Sequence, residues 1–127
     1  MQRGCEAANR GDVEANFALW DSQVETIWPS QLAGLGWESV TRGRRARVIA
    51  QKRWIAEWGG FRFEPDDVID LGNRILVIGR MRGKGGSSGA PIDSEWALLV
   101  TLSAGRVVRE EPFFNHAQAF EAAGLPE

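Results

Sequence analysis

The sequence predicts an α+β fold, and three observations carry that prediction. Helix-like segments occupy the first half of the chain, and a run of antiparallel strands fills the second. The strands are apolar enough to be buried on both faces. Four charges nevertheless interrupt them: Arg80, Arg82, Glu95 and Glu110. Charges on such strands are either solvated or deliberately paired, so these four are the first candidates for chemistry.

Residues 3–9 are a short helix candidate, punctuated by Gly11. Asp12 reads as an N-cap for Val13–Trp20, where Val13, Phe17 and Trp20 recur at helical spacing. Val24–Trp28 reads as a strand ended by Pro29, and residues 30–43 as a loop broken by Ser30, Gly34, Gly36 and Ser39. Arg44–Trp58 is the clearest helix. Val48, Ile55 and Trp58 fall on one face with Trp54 beside them, and Gly59-Gly60 stops it. The basic residues Arg42, Arg44, Arg45 and Arg47 at its start read as a solvated face.

Phe61–Pro65 alternates and ends at proline, the mark of an edge strand, and Asp67–Leu71 continues it after a bend. Ile75–Arg82, Asp93–Leu102 and Arg106–Phe114 are strands, joined by the loop Gly83–Pro91 and the turn Ser103-Ala104-Gly105. Asn115 caps a last helix, His116–Ala123, that stops at Gly124.

The chain of 127 residues is expected to form one domain, residues 1–127. A net charge of −2 gives no general affinity for nucleic acid or anionic membrane. No apolar run approaches the roughly 18 residues of a spanning helix. Cys5 is the only cysteine, which excludes an intrachain disulfide and fits a reducing compartment. The polar start lacks the apolar centre of a signal peptide, so a cytoplasmic location is expected. One histidine and one cysteine make a metal site unexpected. With no tyrosine in the chain, a phenolic acid is excluded.

Splitting the strands by their period of two gives two kinds of face. Ile75, Val77 and Met81 on one strand, and Trp96, Leu98 and Val100 on the next, form a wholly apolar set. Leu76, Ile78, Arg80 and Arg82, with Asp93, Glu95, Ala97 and Leu99, form a mixed set. One layer of helices covers only one face. Either a second copy of the chain covers the apolar set and the mixed face holds a pocket, or the apolar set is the core and the charges are wet.

The run Asn9-Arg10-Gly11-Asp12-Val13-Glu14-Ala15 resembles the early turn of SnoaL-like proteins of the nuclear transport factor 2-like superfamily. Similar resemblances lie in Arg42-Gly43-Arg44, Gly105-Arg106-Val107-Val108 and Ala119-Phe120-Glu121-Ala122-Ala123-Gly124-Leu125. The resemblance implies a cone: a curved antiparallel sheet wrapped around N-terminal helices, with one cavity and a homodimer through the outer sheet face. It favours the mixed face as the concave one, turning Arg80, Arg82, Glu95 and Glu110 inward. Members of the superfamily include isomerases, cyclases, epoxide hydrolases, dehydratases and non-catalytic binders, so fold alone does not choose.

The functional positions of ketosteroid isomerases hold Gly4, Ala97 and Trp28 here, and that activity is rejected. The arginine of limonene-epoxide hydrolases matches Arg80, whereas their two aspartate positions hold Arg82 and Pro112. Arg80, Glu95 and Glu110 are the expected catalytic set: Arg80 steadies an enolate or alkoxide, and one of the two glutamates is the base. The competing reading is a cross-strand ion pair worth about 1 kcal/mol or less. Trp28, Arg82, Leu99 and Phe114 are the expected substrate-binding residues, with core packing as the plainer role for the apolar ones. His116 is expected on an exposed rim, and Gly83–Gly89 lacks the spacing of a phosphate loop. The expected partner is a small-molecule ligand, used without a cofactor. The alternatives are a cofactor-free isomerase, cyclase or hydrolase, a binder of a hydrophobic or acidic metabolite, and an interaction module.

Overall fold

The computed structural model describes residues 19–58, 61–85 and 90–126. The expected helix over 3–9, Cys5, residues 13–18 of the expected helix Val13–Trp20 and the loop centre at 86–89 lie outside them; Trp20 itself begins a strand instead of ending a helix. Strand β1 (Trp20–Ile27) is followed by a 3-10 helix (Ser30–Leu35), strand β2 (Val40–Arg42) and helix α1 (Arg44–Trp58). Strands β3 (Phe61–Asp70), β4 (Arg74–Gly85), β5 (Ala90–Ser103) and β6 (Arg106–Phe113) come next, and helix α2 (His116–Ala123) closes the order. The six strands form one sheet in the order β2-β1-β6-β5-β4-β3. The sheet is mixed, because β1 runs parallel to β6 while every other pair is antiparallel.

Local chemistry explains the boundaries. Asn115 accepts a hydrogen bond from the Gln118 N–H at 3.0 Å and so caps α2, as its sequence predicts. β3 is a single strand that bends at a register shift between Pro65 and Asp67. Opposite that shift stands Gly79, where any Cβ would lie 2.3 Å from the Glu64 carbonyl oxygen. Only glycine allows β3 and β4 to close there. Residues 30–43, expected as loop, contain the 3-10 helix and β2. Arg53 donates from Nη2 to the Leu35 carbonyl at 2.7 Å and fastens the end of the 3-10 helix to α1.

The two faces of the sheet are covered by different helices. Val48 of α1 packs on Trp20, Val24, Val100 and Val107, and Trp54 of α1 packs with Val77, Met81 and Trp96. The wholly apolar set is therefore the inner face, covered within the chain by α1. Ala119 and Ala123 of α2 pack on Leu76, Ala97 and Leu99, part of the mixed face. This reverses the expected orientation: the mixed face is the outer one, and the apolar face needs no second copy to cover it.

One residue decides where the last strand points. Ala104 and Gly105 both have positive φ, 52° and 77°, the pattern of a type I′ hairpin turn. From that turn the register runs Ser103↔Arg106 and Leu102↔Val107, then shifts to Thr101↔Arg109. Val108 is the extra residue of a β-bulge. A regular hairpin would place Glu110 opposite Leu99, on the outer face. The bulge places it opposite Val100, on the inner face.

Candidate functional site

Glu110 is the buried charge of the molecule's inner face, only 3% exposed. Its Oε1 accepts a hydrogen bond from the Thr26 hydroxyl at 3.0 Å and a second from the Nε of Arg47. Thr26 is on β1, paired with Glu110 across the parallel ladder, and is 1% exposed. Arg47 reaches the cluster from the first turns of α1. It shares a stripe with Ala50, Gln51 and Trp54, the positions three, four and seven residues on, and Ala50 and Gln51 are buried. Such a mixed stripe leaves α1 almost without amphipathic contrast.

The Arg47 guanidinium lies over two indoles, 4.4 Å from the Trp20 ring centroid and 5.3 Å from that of Trp28. Its side chain is 16% exposed. Beyond the bond to Glu110, neither Nη group of Arg47 and no second oxygen of Glu110 has a hydrogen-bond partner among the described residues. Two donor groups, each an NH2, and one acceptor oxygen are thus left over in a cluster that is otherwise closed.

Aromatic rings continue from this cluster along the inner face. Trp28 meets Trp37 at 5.0 Å between centroids, Trp37 meets Trp54 at 6.4 Å, and Trp54 stacks on Phe114 at 6.0 Å and on Phe63 at 6.1 Å. Trp28 is held in place by a hydrogen bond from its Nε1 to the Thr41 hydroxyl at 3.0 Å. Trp28 and Phe114, expected to wall a pocket, do flank one apolar group around Leu32, Trp37 and Ala50.

The expected trio of Arg80, Glu95 and Glu110 does not converge. Arg80 and Glu95 pair across β4 and β5 on the outer face, whereas Glu110 lies on the inner one. Arg80 donates from Nε to Asp93 at 2.6 Å. That bond holds the Asp93 carboxyl below its usual range and raises the Arg80 guanidinium. Glu95 accepts the His116 N–H at 2.8 Å, serving the start of α2. Arg82 is half exposed, 3.4 Å from both Glu64 and Asp93. Leu99 is buried under α2, away from the inner face. His116, expected on an exposed rim, is part-buried, with its Nε2 2.7 Å from the Gly79 carbonyl and 3.1 Å from that of Trp96.

Sequence reasoning missed Arg47, Thr26 and Asp93. Thr26 was passed over as an ordinary strand residue. Arg47 was hidden inside a run of arginines that looked solvated. The signal that exposes it is its spacing to Gln51 and Trp54 on one side of α1.

An α+β sheet with helices on both faces and a buried ionic centre defines a scaffold of the cone-forming kind. The chain belongs to the SnoaL-like family, whose domain matches residues 1–110. That family and its fold are those of small-molecule-binding domains. Among solved structures, an NTF2-like protein of unknown function from Burkholderia pseudomallei K96243 is 25% identical, with a TM-score of 0.80 over 94% of this chain and 91% of that one. TerC, co-crystallised with polyporic acid, is 20% identical, with a TM-score of 0.77 over 94% and 92%. A protein of ketosteroid isomerase-like fold from Catenulispora acidiphila DSM 44928, in complex with trimethylamine, is 12% identical, with a TM-score of 0.77 over 98% and 92%. No curated protein matches the chain. No helix among the described residues is long and apolar enough to cross a membrane.

Proposed function

We propose that the chain is a cofactor-free acid–base enzyme that handles a flat, neutral carbonyl compound on its inner face, with Glu110 as base and Arg47 as the oxyanion partner. The observation that carries this reading is the buried Glu110–Arg47–Thr26 cluster with its leftover donors and acceptor. Thr26 and the Arg47 Nε fix one carboxylate oxygen, and Oε2 is free to take a proton from the carbon beside a carbonyl. The Arg47 Nη groups receive the oxygen of the resulting enolate.

Charge conservation favours a neutral substrate. Before the step the site holds a carboxylate and a guanidinium. After it, the site holds a neutral acid, the guanidinium and an enolate. The net charge is zero both times, so no uncompensated charge is buried. A ligand that arrives as an anion adds one. The rings of Trp28 and Phe114 offer faces to a planar body.

The test is deuterium incorporation at the α-carbon of 1-tetralone in heavy water, followed by mass spectrometry. Glu110→Gln keeps an acceptor oxygen for Thr26 and Arg47 and removes the base. It is expected to lower enzyme-dependent exchange by about 100-fold or more. Exchange unchanged in that variant rejects Glu110 as the base. A second reading, a non-catalytic binder, is favoured by the ring-on-ring contacts that already fill the inner face. It predicts a ligand-dependent rise in Tm with no exchange in the wild-type chain. A homodimer through the outer sheet face and a cytoplasmic location stay part of the proposal, supported by the family resemblance and the single cysteine.

A further inference from the structure

A second site lies at the ends of the parallel strands β1 and β6. There a cleft of about 240 Å³ opens between the start of the 3-10 helix and the first turn of α2. The Glu110 cluster lies on the inner face, and Trp28 borders both that cluster and the cleft. Glu111 and Phe113, which line it, pair with Leu99 and Ala97 on the outer face. Its lining includes Trp28 and Phe113, and its polar residues are Ser30, Gln31, Gln118 and Glu111.

Among the described residues, Glu111 is the only charged one in that lining, and no lysine, arginine or histidine joins it. Its side chain is 21% exposed, yet its carboxylate accepts no hydrogen bond from the described residues. The nearest cation is Arg109, whose Nη2 stands 3.6 Å away, beyond hydrogen-bond reach, and which also faces Glu25 at 3.6 Å. The described lining of the cleft supplies aromatic residues and neutral amides, and the cation paired with Glu111, Arg109, stands outside that lining.

We propose that this cleft binds a small organic ammonium ion, with its charge on Glu111 and its apolar body against Trp28 and Phe113. An ammonium supplies a charge-assisted donor within hydrogen-bond reach, closer than the Arg109 guanidinium at 3.6 Å, and is attracted by aromatic faces. The volume lies below the roughly 300–1,000 Å³ of drug-sized sites, so the ligand is a small metabolite. An anion meets only Glu111 there and is repelled.

The test uses benzylammonium, benzyl alcohol and benzoate, each titrated into the ¹⁵N-labelled full chain at low salt and followed by amide NMR. Benzylammonium is expected to shift the amides of Ser30, Gln31, Glu111 and Gln118, with little effect from the other two probes. Glu111→Gln is expected to weaken benzylammonium binding by about tenfold or more. Gln118→Lys, at an exposed helix position, places a competing cation at the cleft and is expected to do the same. Glu110→Gln is expected to leave this binding unchanged. Equal shifts with benzyl alcohol, stronger binding of benzoate, shifts confined to other regions, or full affinity in Glu111→Gln overturn the proposal.

Discussion

Glu110 and Arg80 look alike in the sequence, as charges on strands rich in apolar residues, and they meet opposite fates. Glu110 is buried with two donors on one oxygen. Arg80 is spent on Asp93 at the outer surface. The Arg80–Asp93 pair has a pH signature whose sign follows from its cause. The depressed folded-state pKa of Asp93 means that its contribution to stability is present above the unfolded value and is lost as pH falls through the folded one. Arg80→Gln is expected to raise the Asp93 titration midpoint, read by carboxyl NMR, towards the ordinary carboxylate range and to weaken that acid dependence, with Arg82 at 3.4 Å still holding the midpoint down in part. A midpoint unmoved by the substitution contradicts the pairing. The carboxylate is exposed and the Arg80 side chain is about one-third exposed, so solvent screens the pair and the effect on stability is small.

At the scale of elements, most strands and the last helix were legible because alternation, proline and glycine mark them. Gly105, Asn115 and Gly124 each announce a boundary that the structure keeps. The bulge was not legible. Val107 and Val108 are both apolar and β-branched, so alternation does not say which of them pairs and which is extra. That single ambiguity moved Glu110 from the outer face to the inner one. The turn that starts this register carries its own strain. Ala104 has φ 52°, a left-handed conformation that disfavours a Cβ. Ala104→Gly is expected to raise stability by about 1 kcal/mol, measured by urea unfolding. A loss of stability contradicts the turn geometry.

For the whole molecule, the sequence supplied the fold class and the existence of two distinct sheet faces. It did not supply which face was inner, because both hold enough apolar residues to be buried. The deciding contacts are long-range: Val48 and Trp54 of α1 against one face, Ala119 and Ala123 of α2 against the other. The family resemblance pointed the mixed face inward, and the packing of α1 points the apolar face inward instead. The candidate site was half legible on the same grounds. Glu110, Trp28 and Phe114 were singled out and lie on the inner face. Arg82 and Leu99 were singled out and do not.

The account rests on Arg47 and Glu110 meeting beneath α1, and a double-mutant cycle in urea unfolding measures that meeting. Arg47→Met in the wild-type chain strands a buried carboxylate and is expected to cost about 3 kcal/mol. The same substitution in a Glu110→Gln background is expected to cost at least about 1.5 kcal/mol less. Equal costs in the two backgrounds, within about 0.5 kcal/mol, contradict the contact and the site built on it.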